Sequence, residues 1–331
     1  MSDEKPVTGQ AQTASTAKPY IAVRPLREHD LPVADRVMRL AFGTFIGLAE
    51  PLSFMGDADY VHTRWRADPH AAFAAMAGSE LVGSNFATNW GSVGFFGPLT
   101  IHPKQWEQGV GKLLLAPVID CFARWGTTQA GLYTFADSSK HVGLYRRFGF
   151  WPRFLTAIMS KPVVAATPVL EYSRFSELTP AEQDAALAAS LEMLDAIYAG
   201  LDVRGEIRSV AAQQLGDTVL LWGDAGLLGL AVCHMGAGTE AGSGNCYVKF
   251  GAARPGVSAA QHFGRLLQAC EAMAFNRGLT RLIAGVNTAR IEASQMMLER
   301  GFRADRQGVA MHRHNEAGYN RAGVYLIDDW R

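Results

Sequence analysis

The sequence predicts an α/β fold: a mixed sheet with helices on both faces, built twice in tandem. Three observations carry this. Strand-like runs with period two alternate with amphipathic helical runs. Glycines recur at matched spacings, since Gly126 to Gly149-Phe150 and Gly278 to Gly301-Phe302 both span 23 residues. The two openings also match. Ile21–Leu26 followed by Arg27-Glu28-His29-Asp30 parallels Val169–Phe175 followed by Ser176-Glu177-Leu178-Thr179, a strand meeting a capping cluster and then a helix. A chain of 331 residues has room for two such units.

In the first copy, strands are predicted at Ile21–Leu26, Ala72–Ala77, Glu80–Asn89, Val93–Ile101, Ala130–Ala136 and Phe154–Ser160. Gly78-Ser79 marks a hairpin between the second and third. Helices are predicted at Leu31–Gly43, near Tyr60–Arg66, at Val110–Trp125 and at Lys140–Phe148. Pro98 donates no ladder hydrogen bond, so the fourth strand should bulge there, and Pro117 should kink the third helix. In the second copy, strands are predicted at Val169–Phe175, Thr218–Trp222, Gly226–His234, Cys246–Ala252, Thr280–Gly285 and Gly308–His314. The matching helices are Pro180–Ala199, Glu206–Leu215, Ala259–Arg277 and Ile291–Arg300, with Val324–Ile327 an added strand. The divisions are a flexible tail over 1–19, a first domain over 20–163 and a second over 164–331. The tail is Ser/Thr/Ala/Gln/Lys-rich and lacks the apolar core of a secretory signal, which points to a cytoplasmic protein.

Composition narrows the function. The 31 basic and 31 acidic residues balance, which removes the electrostatic case for nucleic acid or an anionic membrane surface. No apolar run reaches the roughly 18 residues of a membrane span. The four cysteines are scattered with no Cys-x-x-Cys, so neither a disulfide framework nor a metal site is expected.

The chemistry concentrates at Leu99–Leu115. A strand ends at Pro103, and Gly109-Val110-Gly111 opens an apolar helix. Such a helix start presents unpaired N–H groups at its positive end, and glycine lets a phosphate approach them. No third glycine follows, since Leu114 holds that place, and no Gly-Lys-Ser/Thr follows either. The dinucleotide fingerprint is thus incomplete, and the P-loop is excluded.

Downstream come a strand, a short helix and Leu144-Tyr145-Arg146-Arg147-Phe148-Gly149-Phe150. This order, with Leu-Tyr-x-x-x-Gly-Phe, resembles the GNAT family of N-acetyltransferases over about residues 20–162. The resemblance implies acetyl-CoA as co-substrate, with its pyrophosphate on Gln108, Gly109, Val110, Gly111 and Lys112 and its pantetheine arm along Leu99, Thr100 and Ile101. Gln105 and Ser138 are counted with these cofactor contacts. Trp106 stands where the family usually has Arg or Gln. Tyr145 would be the general acid that protonates the leaving thiolate. His141 lies one helical turn before it as a candidate relay, and Asp137, whose other role is helix capping, is the nearest carboxylate.

The acceptor is expected to be a small-molecule amine held by Asp57, Asp59, Tyr60 and Trp65, carboxylates for a cation and aromatic faces for cation–π contact. The resemblance leaves room for a homodimer. In the second copy His262 falls at the first glycine position and Met297 at the tyrosine position, so that copy is expected to be non-catalytic. The alternative reading is a non-catalytic acyl-CoA-binding or regulatory protein. It is favoured by Trp106 and by the lack of a carboxylate on the fourth strand.

Overall fold

In the computed structural model, residues 20–165, 171–224 and 226–331 are described. The tail over 1–19 lies outside them, as does part of the run expected as a strand at Val169–Phe175. The first half contains β1 (Ile21–Pro25), α1 (Leu31–Phe45), α2 (Val61–Ala67), β2 (Ala72–Ala77), β3 (Glu80–Trp90), β4 (Val93–Phe96), β5 (Thr100–Ile101), α3 (Val110–Trp125), β6 (Gln129–Thr134), α4 (Ser139–Arg146) and β7 (Phe150–Pro162). The second contains β8 (Ser173–Arg174), α5 (Pro180–Asp195), α6 (Arg204–Gln213), β9 (Gly216–Gly223), β10 (Gly226–Gly236), β11 (Gly242–Ala253), α7 (Ala259–Asn276), β12 (Arg281–Asn287), α8 (Ile291–Glu299), β13 (Arg303–Arg313) and β14 (Leu326–Ile327).

The fourth strand is not continuous. It breaks into β4 and β5, because Gly97 turns to φ +147° and Pro98 has no N–H to give. β4 runs parallel to β6 from Val93↔Gln129 to Phe96↔Leu132. Beyond the break the chain leaves β6 and pairs only with β3, at Gly83↔Ile101 and Ser84↔Thr100. A wedge therefore opens between Leu99–Ile101 and the end of β6. α3 survives Pro117 as one helix, and Asn85 donates to the Leu114 carbonyl beside the proline at 3.2 Å.

The two halves share one sheet, ordered β1-β2-β3-β4-β6-β13-β7-β12-β11-β10-β9-β8. Each half ends in a strand–helix–strand unit, and each gives its last strand to the other. β13 inserts beside β6 (Val309↔Thr134 to His312↔Gly131), and β7 lies beside β12 (Arg281↔Pro162 to Asn287↔Thr156). β7 is longer than the expected Phe154–Ser160 because it serves both β13 and β12. The cores follow the exchange. Val309 and Met311 pack under α3 with Leu114 and Val118, while Ala157 and Met159 pack with Phe263, Leu267 and Met297.

The last residues cross the sheet. β14 pairs with β11 at Gly251↔Ile327 and Ala252↔Leu326. Here β11, past its parallel pairing with β12 at Val248↔Ala284, is open like its counterpart β5. Arg290 donates to the Leu326 carbonyl at 2.9 Å and to Asp328 Oδ1 at 2.5 Å. The second half's wedge is thus filled by the chain itself. Trp330 then lies over Gly131 and stacks on Phe95 at 5.9 Å, which carries the chain into the first half.

Candidate active site

A cavity of about 430 Å3 occupies the wedge of the first half. Phe96, Gly97, Pro98 and Leu99 form one wall, and Tyr133, Thr134 and Phe135 the facing one. α1 and the loop after it close a third side with Met38, Phe42, Phe54 and Met55. The second half supplies Arg281, Ile283, Asp305, Arg306, Trp330 and Arg331.

Tyr145 lines this cavity from α4 and is buried. Its ring meets Phe96 edge-on at 5.7 Å. Burial pushes its phenol well above the usual range, and Thr134 offsets this in part. His141 also reaches the cavity, with its ring 4.8 Å from that of Phe45. Burial, and then Lys140, lower its pKa, and its Nδ1 is buried without a partner. The imidazole is therefore neutral near pH 7 and able to accept a proton. Asp137 is exposed and outside the cavity wall. Capping of α4 falls to Ser138, which accepts from the His141 N–H at 3.4 Å.

The glycine turn opens α3 at the mouth of the wedge. Gly109 is the N-cap in the left-handed region (φ +84°), with nothing near the position of an added Cβ, and no side chain caps the helix. A Cβ on Gly111 would meet Leu144 at 3.2 Å and Ile101 at 3.3 Å. The helix's positive end is thus bare and closely approachable, a fit for a pyrophosphate. Val110 is buried and Lys112 exposed. Gln108 donates to the Lys104 carbonyl at 3.0 Å, and Gln105 Oε1 is buried without a partner. Trp106 donates its indole N–H to the Ile101 carbonyl at 2.8 Å, so that carbonyl is already satisfied. Thr100 is held to Ser84 at 3.2 Å, and of Leu99, Thr100 and Ile101 only Leu99, just before β5, lines the cavity.

Of the four residues expected to hold the acceptor, the structure brings only Tyr60 to the cavity. Asp57 is spent on Ser243, accepting from its N–H at 2.8 Å and from its hydroxyl. Asp59 accepts from the His62 N–H at 2.9 Å and faces its ring at 3.1 Å. Trp65 donates to the Leu26 carbonyl at 2.9 Å. The charge around the cavity also has the opposite sign to the expected one. Among the described residues its lining holds three guanidiniums and one carboxylate, Asp305, which Arg281 binds at 2.7 Å.

Sequence reasoning missed the support beneath the cavity. Arg64 donates two bonds of 2.9 Å to Glu240 and a third of 2.6 Å to the Gly97 carbonyl. Glu240 also takes Lys249 at 2.9 Å, which binds Glu206 at 2.9 Å. All four are buried. Neighbouring cations hold Glu240 far below the carboxylate range and Glu206 at about 2, against burial. The network fixes the strand break of the first half to the second half.

Residues 40–150 match the family model for the acetyltransferase (GNAT) family. The fold extends the likeness to nearly the whole chain. A candidate acetyltransferase of Pyrococcus horikoshii aligns at TM-score 0.66 and 12% identity, covering 97% of this chain and 98% of that one. A GCN5-related N-acetyltransferase from Sphaerobacter thermophilus aligns at 0.55 and 14% identity, covering 88% and 95%. A tandem GNAT protein from the clavulanic acid biosynthesis pathway aligns at 0.55 and 14% identity, covering 88% and 98%. No curated protein matches the sequence. The family model thus covers about a third of the chain, within the first half, and the solved structures extend the likeness in fold. No helix of the described residues is long and apolar enough to cross a membrane, and no group of His, Cys, Asp or Glu among them forms a metal cluster.

Proposed function

We propose that this protein transfers an acetyl group from acetyl-CoA to a small-molecule amine, with residues 20–163 as the catalytic domain and residues 164–331 as a non-catalytic one. The observation that carries the reading is that Tyr145 and the wedge between β5 and β6 share one cavity, while α3 begins uncapped with Gly111 close to Ile101 of β5 and Leu144 of α4. The α3 N-terminus from Gln108 to Lys112 would hold the pyrophosphate, and the edge from Leu99 to Ile101 would run beside the pantetheine. The acetyl thioester would supply the electrophilic carbonyl. The neutral amine attacks it, the C–N bond forms, and the C–S bond breaks. Tyr145 gives its proton to the thiolate, and the proton shed by the amine passes to His141 or water. A phenol held protonated by burial suits the donor role.

Gly111→Asp should abolish coenzyme A binding in calorimetry. The carboxylate would repel the pyrophosphate, and its Cβ would enter the gap to Ile101 and Leu144. Unchanged affinity would move the cofactor elsewhere. Coenzyme A binding without thioester turnover across a panel of amines would favour the non-catalytic alternative.

The second half's wedge is filled by β14, and Met297, at its counterpart of Tyr145, is fully buried in an apolar core. Met297→Ala should therefore destabilise by about 2–5 kcal/mol. The folded fraction should keep near wild-type turnover, measured as activity corrected for the native population. A fall in kcat of fully folded variant would give the second domain a part in the chemistry.

A further inference from the structure

Buried hydrogen-bond donors without partners are rare, because each has given up water with no replacement. Four meet at this cavity. The hydroxyls of Tyr60 and Tyr133 and the Nε and Nη2 of Arg331 are buried and have no partner among the described residues. All three residues line the cavity. The Arg331 guanidinium is close enough to both phenols to pull against the burial that raises their pKa values.

The carboxylate nearest that guanidinium, Asp329, pairs with it in charge but leaves Nε and Nη2 without a hydrogen bond. Asp329 Oδ2 stands 3.3 Å from Arg331 Nε but makes no hydrogen bond, while Oδ1 accepts from the Tyr247 hydroxyl at 3.0 Å. Burial also raises the Asp329 pKa, which weakens its claim as a counter-ion. The neighbouring Arg64 is saturated by Glu240, the Gly97 carbonyl and the main-chain oxygen of Arg331. Farther out, Arg306 lines the same cavity, lies 5.7 Å from the Phe135 ring and forms no ion pair among the described residues.

We propose that the acceptor amine also carries a carboxylate, bound by Arg331 with the hydroxyls of Tyr60 and Tyr133. A guanidinium offers donors only and each phenol has an O–H to give, whereas a carboxylate offers acceptors only. The apolar wall of Met38, Phe42, Phe54 and Met55 takes the body that joins carboxylate to amine. The amine half of this inference rests on the acyl-transfer reading, and the carboxylate half does not.

Binding and turnover therefore test it separately. In calorimetry, 3-phenylpropionate should bind the wild type better than 3-phenylpropanol. Arg331→Met should weaken the carboxylate by about tenfold or more, the scale of one charge-assisted hydrogen bond. Tyr60→Phe should weaken it several-fold, with coenzyme A affinity as the check on folding in both variants. In the acetylation assay, phenylalanine should exceed phenethylamine in kcat/KM by about tenfold, and Arg331→Met should bring the ratio near one. Equal binding of acid and alcohol by the wild type, or a preference that survives Arg331→Met, would overturn the inference. Carboxylate binding lost in Arg331→Met, with neither amine acetylated, would uphold the carboxylate half and overturn the amine half together with the acyl-transfer reading on which it rests.

Discussion

Tyr145→Phe should lower kcat roughly 10- to 1,000-fold while leaving the KM for the acetyl donor nearly unchanged. The ring is buried and held edge-on against Phe96, so phenylalanine keeps the packing and removes only the hydroxyl. That hydroxyl interacts mainly with charge that develops on sulfur as the C–S bond breaks. Its loss should therefore appear in the transition state and not in ground-state binding. The pH profile adds a sign. Because burial raises the phenol pKa, any limb caused by its ionisation lies above the usual phenol range, and the wild type should keep its donor protonated through neutral and mildly alkaline pH. The measurement is single-turnover acetylation under conditions where chemistry limits the rate. Wild-type turnover there would reduce Tyr145 to a packing residue.

Glu240→Gln should destabilise the protein by about 3–5 kcal/mol, measured by chemical denaturation. The carboxylate is buried and faces Arg64 and Lys249 together, so the amide leaves both cations short of charge in a place water does not reach. Glu206 remains for Lys249, but Arg64 has no second carboxylate among the described residues. The network also fixes the acid limit. Glu206 falls from 4.5 to about 2 in the folded state, so its contribution is complete above about pH 4.5 and is lost as pH drops towards 2. Glu240 shifts in the same direction, and removing its charge should flatten the acid-unfolding profile over that window. A variant as stable as wild type, with an unchanged profile, would mean that solvent screens the network.

Most elements were legible because their signals are local. β2 and α3 fall where apolar periodicity, flanking Gly and capping residues put them, and Pro98 marks the break in the fourth strand. The partnership of the strands was not legible. β7 and β13 carry similar apolar patterns, and nothing in either says whether it pairs with its own half or the other. The site divides the same way. Tyr145 and the Gly109 turn are carried by short motifs, whereas Arg64 meets Glu240 across 176 residues of sequence. Arg331 arrives by a strap whose route depends on β11 and Gly131. Asp57 and Asp59 were misplaced for a physical reason: short carboxylates in loops bond readily to nearby N–H groups, and these two do so instead of facing a ligand.

The reciprocal strand exchange bears on how this chain comes off the ribosome. β6 closes only when β13 arrives, and β13 follows nearly all of the second half in the sequence. Until then the nascent first half carries an open strand edge beside α3, and its cavity lacks a wall. β7 in turn waits for β12. Vectorial synthesis therefore cannot finish one unit before beginning the next, as ordinary tandem chains do. The protein must hold an unsatisfied edge through most of its translation, exposed to pairing with a second nascent copy on the same polysome. Slow elongation through the second half should lengthen that exposure and lower the yield of soluble protein.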